Sequence, residues 1–168
     1  RFNDFHKEHT ATSKVYKSYS ELYSANLGYE NYIVGSDQVW NPNNGTNIAP
    51  YFLTFAPDQS NKISYASSFG VGSINEVYYP QYKKWINNLK HISTREADGV
   101  DIIKSSTGKN ATHVVDPTLL LTKSDWESLM VPYKHSEPYI LFFIFKKNKY
   151  AEDLAYKIQK DTGYKIIR

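Results

Sequence analysis

Apolar residues in the first third of the chain recur at helical spacing. Val15, Tyr16, Tyr19, Leu22 and Tyr23 share one face, which predicts an amphipathic helix over residues 13–25, ended near Gly28. Residues 31–34 are a short run containing Ile33 and Val34, stopped by Gly35, and read as a buried strand that delivers a loop. Residues 41–50 are rich in Asn, Pro, Gly and Thr, which is loop chemistry. Residues 51–55 and 62–67 supply two further strands, the second running into Ser67, Ser68, Phe69 and Gly70. Pro80 suits a first helical turn, and Tyr82, Trp85, Ile86 and Leu89 form the apolar face of a helix lasting to about residue 90. A strand over 91–94, a helix over 96–105 and a strand over 112–115 follow, the last stopped at Asp116-Pro117. Ser124 and Glu127 have capping-box spacing, which predicts a helix over 125–130 closed by Pro132.

Strand and helix therefore alternate, the pattern of βαβ units in a mainly parallel sheet covered by helices. Near the end, residues 139–145 form an apolar strand, Ala151, Leu154, Ala155 and Ile158 line a helix capped by Gly163, and residues 164–167 start another strand. This β-α-β unit reads as the opening of a second domain. The expected organisation is one α/β domain over 1–131, a Pro/Lys/Ser linker over 132–138, and the first unit of a second domain over 139–168. A start at Arg1 without an initiator methionine or a signal-peptide pattern makes the chain an expected internal piece of a longer protein, inactive by itself.

Composition narrows the chemistry. The 168 residues include 20 Lys and Arg against 17 Asp and Glu, without a long basic block, so nucleic acid is not an expected partner. No cysteine is present, which excludes disulfides, thiolate metal sites and cysteine nucleophiles, and makes the cytosol the default location. The longest apolar run, residues 139–145, is far below the ~18 residues that suggest a spanning helix. The five histidines show no metal-ligand spacing, and no metal is expected. Dinucleotide, P-loop and hydrolase-elbow motifs do not occur.

In α/β sheets, ligands sit beyond the carboxyl ends of the strands, so the polar residues just after each strand carry the candidate chemistry. Ser36, Asp37 and Gln38 follow the first strand, Ser67 and Ser68 a later one, and Arg95 with Glu96 another. Turn and cap roles compete for the same residue types: Asp37 suits a turn cap, and Glu96 the far half of a capping box with Ser93. Arg95 offers a planar fork for carboxylate or phosphate, its alternative being an ion pair with Glu96 or Asp116, and Asp116 itself reads as a turn or ion-pair acceptor. Trp40, beside the first loop, is placed to stack on the apolar face of a hexose.

These residues fall in four blocks: Tyr32 to Pro42 (YIVGSDQVWNP), Ile63 to Gly70 (ISYASSFG), Ile92 to Glu96 (ISTRE), and Val115 to Leu121 (VDPTLLL) followed by Trp126. In this order they resemble the polysaccharide pyruvyl transferase family. The resemblance implies a GT-B-like architecture of two Rossmann-like halves, each a parallel sheet with helices on both faces, here truncated. It also implies transfer of the pyruvyl group of phosphoenolpyruvate onto two hydroxyls of a hexose in a bacterial cell-surface polysaccharide or its lipid-linked precursor, forming a ketal. By the same resemblance Arg95 is an anion contact to the donor and Asp37 a base or hydroxyl acceptor. Ser36, Gln38, Trp40, Ser67, Ser68 and Glu96 would line the cleft, with phosphoenolpyruvate a substrate and no cofactor needed. The implied location is cytoplasmic, with peripheral association at the inner membrane face a further option. The alternatives are a nucleotide-sugar glycosyltransferase of the same architecture and a non-catalytic glycan-binding module.

Overall fold

A computed structural model describes residues 2–131 and 135–168. The chain divides into two compact units, Arg1–Thr122 and Lys123–Arg168. Of the expected linker over 132–138, and of the helix stop at Pro132, residues 132–134 lie outside the described residues.

The first unit contains α1 (Phe2–His9), α2 (Tyr19–Tyr23), β1 (Asn31–Val34), β2 (Asn61–Ser64), α3 (Tyr79–Ile86), β3 (Ser93–Thr94), α4 (Ala97–Thr107) and β4 (Thr112–His113), with single-turn 3-10 helices at Ala49–Phe52, Glu76–Tyr78 and, after β4, Pro117–Leu119. β1 pairs in parallel with β2, Ile33 opposite Ile63, and β3 in parallel with β4, Thr94 opposite His113. Parallel bridges at Ile63–His91 and Ser67–Thr94 join the pairs, so four short strands run side by side in chain order. Between β2 and β3, serine hydroxyls take part in the ladder. Ser93 N donates to Ser64 Oγ (3.0 Å), Ser93 Oγ to Ser64 O (2.8 Å), and Ala66 N to Ser93 Oγ (3.1 Å), all buried.

Strand alternation decides what is buried. Tyr32 and Val34 of β1 face the core, whereas Ile33 between them is 66% exposed. Ile33 and Ile63 instead border an open groove of about 350 Å³ with Tyr65, Pro117 and Leu120. Helices on both faces of this sheet were expected; among the described residues, the Ile33 face is left open. The core is largely aromatic. Trp40 lies parallel to Phe52 (centroids 5.3 Å, 3°) and edge-on to Phe69 (5.5 Å), while Tyr82 meets Phe52 edge-on (5.4 Å). Polar tips inside are satisfied: Trp40 Nε1 donates to Tyr51 O (2.9 Å) and Tyr82 Oη to Trp40 O (2.6 Å). Burial, with the neighbouring Tyr78, pushes the Tyr82 phenol far above its ordinary value. Lys109 closes the end of α3, its Nζ donating to Asn87 O (2.8 Å) and Leu89 O (3.1 Å).

The second unit holds α5 (Lys123–Leu129), β5 (Tyr139–Leu141), α6 (Lys149–Thr162) and β6 (Lys165–Ile167). β5 and β6 pair in parallel around α6, which makes the expected β-α-β unit. Asn148 caps α6 by accepting from Ala151 N, and Gly163 ends it in the left-handed region (φ 71°).

Several elements differ from expectation, each for a local reason. The first long helix shrinks to α2, because Ser18 is extended and accepts from Glu21 N, an N-cap that starts the helix at Tyr19. Residues 51–55 are not a strand: Pro50 opens a 3-10 turn over Ala49–Phe52, and Leu53 turns left-handed (φ 56°). Ser124 lies inside α5 rather than capping it, and Glu127 pairs with Lys123 (3.5 Å). β5 stops at Leu141, leaving Phe143 and Phe145 75% and 92% exposed.

Candidate active site

All four strands of the first unit deliver their carboxyl ends to one place. β1 passes into Gly35, whose φ is +144° and whose position admits no side chain, because an added Cβ would sit 1.9 Å from Tyr65 O. This close backbone approach sets Ser36 beside the residue that follows β4. The chain leaving β2 turns at Ala66, left-handed at φ 52°, and brings Ser67 and Ser68 back under β1. β3 ends at Arg95 and Glu96, and β4 leads through Val114, whose N donates to Thr94 O (3.0 Å), to Asp116.

The result is a chain of charge-assisted hydrogen bonds. Ser36 Oγ donates to Asp116 Oδ2 (3.2 Å), and Arg95 Nη1 donates to the same oxygen (3.2 Å). Arg95 Nε donates to Glu96 Oε1 (2.9 Å), which also accepts from Ser68 Oγ (3.0 Å). Ser68 Oγ in turn accepts from Gly70 N (2.9 Å). On the other side, Asp116 Oδ1 accepts from Thr118 N (3.0 Å) and Thr118 Oγ1 (2.7 Å). A ring nitrogen of His113 lies 3.1 Å from Arg95 O.

Asp116 is thus saturated as an acceptor. The Thr118 amide and hydroxyl, then Arg95 and Ser36, outweigh partial burial and hold its carboxyl down at about 2. Glu96 first, then Asp116, push the Arg95 guanidinium further up against the opposing effect of burial, so it stays charged. Because the folded pKa of Asp116 lies below its ordinary value of 3.8, its contribution to stability is complete above about pH 4 and disappears as pH falls towards 2. Asp116→Asn is therefore expected to lower stability by about 1.5–3 kcal/mol at pH 7, the range for hydrogen bonds to a charged group. That deficit should shrink between pH 4 and 2. Thermal melts of both proteins across pH 2–7 measure it, and a deficit independent of pH would contradict the assignment.

Of the residues singled out by sequence, Ser36, Ser68, Arg95 and Glu96 come together here. Both ion-pair partners weighed for Arg95 are realised at once. Glu96 does not complete a capping box with Ser93; it stands at the N-cap of α4 with its carboxylate turned to Arg95 and Ser68. Asp37 and Gln38 form the adjoining exposed loop. Asp37 Oδ1 accepts from the amide of the next residue, Gln38 N (2.7 Å), and Gln38 Oε1 accepts from Asn41 Nδ2 (2.8 Å). Three expectations are corrected. Trp40 is fully buried against Phe52 and Phe69, so it has no free face for a sugar. Ser67 is equally buried, its hydroxyl spent on Val34 O (3.1 Å), so it braces the β1 end from within instead of lining a cleft wall. Ser68 is as buried, its hydroxyl held between Glu96 Oε1 and Gly70 N, so it supports Glu96 from behind the wall. Sequence reasoning placed Asp116 only as a turn or ion-pair acceptor, and passed over His113. The available signal was position, since both lie at the carboxyl end of β4, where the other strands also place their polar residues.

Among the described residues no helix is long and apolar enough to cross a membrane. No curated protein and no solved structure matches the chain. A family model described as polysaccharide pyruvyl transferase matches residues 3–168, nearly the whole chain. With that match and the four sequence blocks gathered at one end of a parallel sheet, the chain belongs to the polysaccharide pyruvyl transferase family.

Proposed function

We propose that the protein moves the pyruvyl group of phosphoenolpyruvate onto two hydroxyls of a hexose in a cell-surface polysaccharide or its lipid-linked precursor. The observation that carries this reading is the convergence of Ser36, Ser68, Arg95, Glu96 and Asp116 where four parallel strands end. Arg95 Nε and Nη1 are held by carboxylates, and its Nη2 has no partner among the described residues, which leaves that side for the donor's carboxylate or phosphate. In the reaction, C3 of phosphoenolpyruvate gains a proton while a sugar hydroxyl oxygen bonds to C2 and releases its proton. The C2–O bond to phosphate then breaks, phosphate leaves with the electron pair, and the second hydroxyl closes the ketal on C2 as its proton departs. Asp37, exposed beside Ser36, is the proposed base or hydroxyl acceptor. Ser36, Gln38 and Glu96 line the same wall, with Ser68 buried behind Glu96.

On this reading the chain is part of a two-domain, GT-B-like enzyme, with 1–131 in the first domain, 132–138 a linker and 139–168 opening the second, working in the cytoplasm. No cofactor enters the reaction. The test is phosphate release from phosphoenolpyruvate by the full-length protein, with and without galactose- or mannose-ended oligosaccharides. Release that requires an acceptor and is untouched by added nucleoside diphosphate is expected. Inhibition by nucleoside diphosphate, with no release from phosphoenolpyruvate, would favour a nucleotide-sugar transferase instead.

A further inference from the structure

Asp116 belongs to the cluster without being available for chemistry. All its acceptor positions are engaged: Oδ2 takes Ser36 and Arg95, and Oδ1 takes the amide and hydroxyl of Thr118. A carboxylate so occupied neither removes a proton nor receives a sugar hydroxyl without first giving up a bond. What it does is fix geometry. Thr118 sits in the 3-10 turn Pro117–Leu119, where Asp116 is the N-cap, so the carboxylate is anchored by its own backbone. From that anchor it reaches across to β3 and β1, holding the guanidinium and the Ser36 hydroxyl by one oxygen.

We infer that Asp116 is a positioning residue, which orients Arg95 so that its Nη2 side meets the anionic donor. The inference rests on the proposed role of Arg95 towards phosphoenolpyruvate. Glu96 alone holds the planar guanidinium at one point, Nε, and leaves the plane free to tilt about that hydrogen bond. A second carboxylate on Nη1 removes that freedom, so less orientational entropy is lost when the donor binds. Asp116 then acts on donor affinity only through Arg95, and the two substitutions must be non-additive. A residue that merely stabilised the fold would act equally whether or not Arg95 were present.

The experiment is equilibrium dialysis of phosphoenolpyruvate against the full-length protein, with no acceptor, for the parent, Asp116→Asn, Arg95→Ala and the double variant. Asp116→Asn is expected to weaken binding at least about tenfold with Arg95 present, and by less than about twofold in the Arg95→Ala background. Asp116→Glu, which restores the charge, should recover part of the loss. Equal weakening in both backgrounds, or none with Arg95 present, overturns the positioning role while leaving Arg95 as a donor contact. Unchanged binding in Arg95→Ala overturns the reading of Arg95 itself, and the positioning role with it. Should Asp116→Asn not fold, Thr118→Val removes one of the four bonds to the carboxylate and leaves Arg95 paired. The same cycle then applies at an expected threefold weakening, confined to proteins that retain Arg95.

Discussion

Trp40→Ala is expected to lower stability by about 3–5 kcal/mol, the usual cost of deleting a buried Trp or Phe side chain. The ring is fully buried, stacked on Phe52 and edge-on to Phe69, and its Nε1 donates to Tyr51 O. Its removal would open a cavity beside the Phe52 and Phe69 rings and leave Tyr51 O without its side-chain donor. Trp40→Phe separates the two losses, since it keeps an aromatic face and drops the indole N–H; about 1–3 kcal/mol is expected for the overlapping volume and hydrogen-bond effects. Chemical denaturation with far-ultraviolet circular dichroism measures both. A sugar-stacking Trp40 would behave differently, with stability unchanged by Trp40→Ala and only acceptor binding reduced.

Gly35→Ala is expected to be as severe through a different mechanism. Its φ of +144° is one that side chains rarely adopt, which costs about 1–3 kcal/mol. The added Cβ would also lie 1.9 Å from Tyr65 O, a backbone atom just after β2 that cannot rotate away. Forced overpacking adds about 1–3 kcal/mol. Relief requires β1 and the chain after β2 to part, and that shift moves Ser36 away from Asp116 and Ser67 away from Val34 O. The expected outcome is a destabilised protein with activity lost beyond what its folded fraction explains. The control is Gly108→Ala, where an added Cβ meets nothing within 4 Å although φ is +79°, so only backbone strain applies. Equal stabilities for the two variants would show that the close approach at Gly35 does not matter.

Much of the first unit was legible because strand-stop patterns are local. β1 occupies the expected residues 31–34, and the polar residues after β1, β2 and β3 lie at the carboxyl ends where a parallel sheet places its ligands. What escaped was decided by contacts distant in sequence. Trp40 sits among Asn, Pro and Asp, so its surroundings read as an exposed loop; only the return of Phe52 and Phe69 to the same place makes it core. Ser67 was grouped with Ser68 by adjacency, yet one hydroxyl turns to Val34 O and the other to Glu96. Asp116 read as a turn or an ion-pair acceptor and is both, through Thr118 and Arg95; what escaped is that the oxygen facing Arg95 also reaches Ser36, 80 residues away. The early helix boundary was readable in the Ser18-x-x-Glu21 spacing, but the apolar periodicity of Val15 and Tyr16 masked it, and Val15 is 82% exposed.

On the proposed function, the strand-end cluster handles an anionic donor through Arg95. The most direct measurement is the initial rate of acceptor-dependent phosphate release from phosphoenolpyruvate by the full-length protein and by Arg95→Ala, with folding of both verified by thermal melts. A fall in kcat/KM of about 10²–10³, comparable to removal of one preorganised donor from a site of developing charge, is the predicted result. A folded Arg95→Ala protein that releases phosphate at the parent's rate would contradict it.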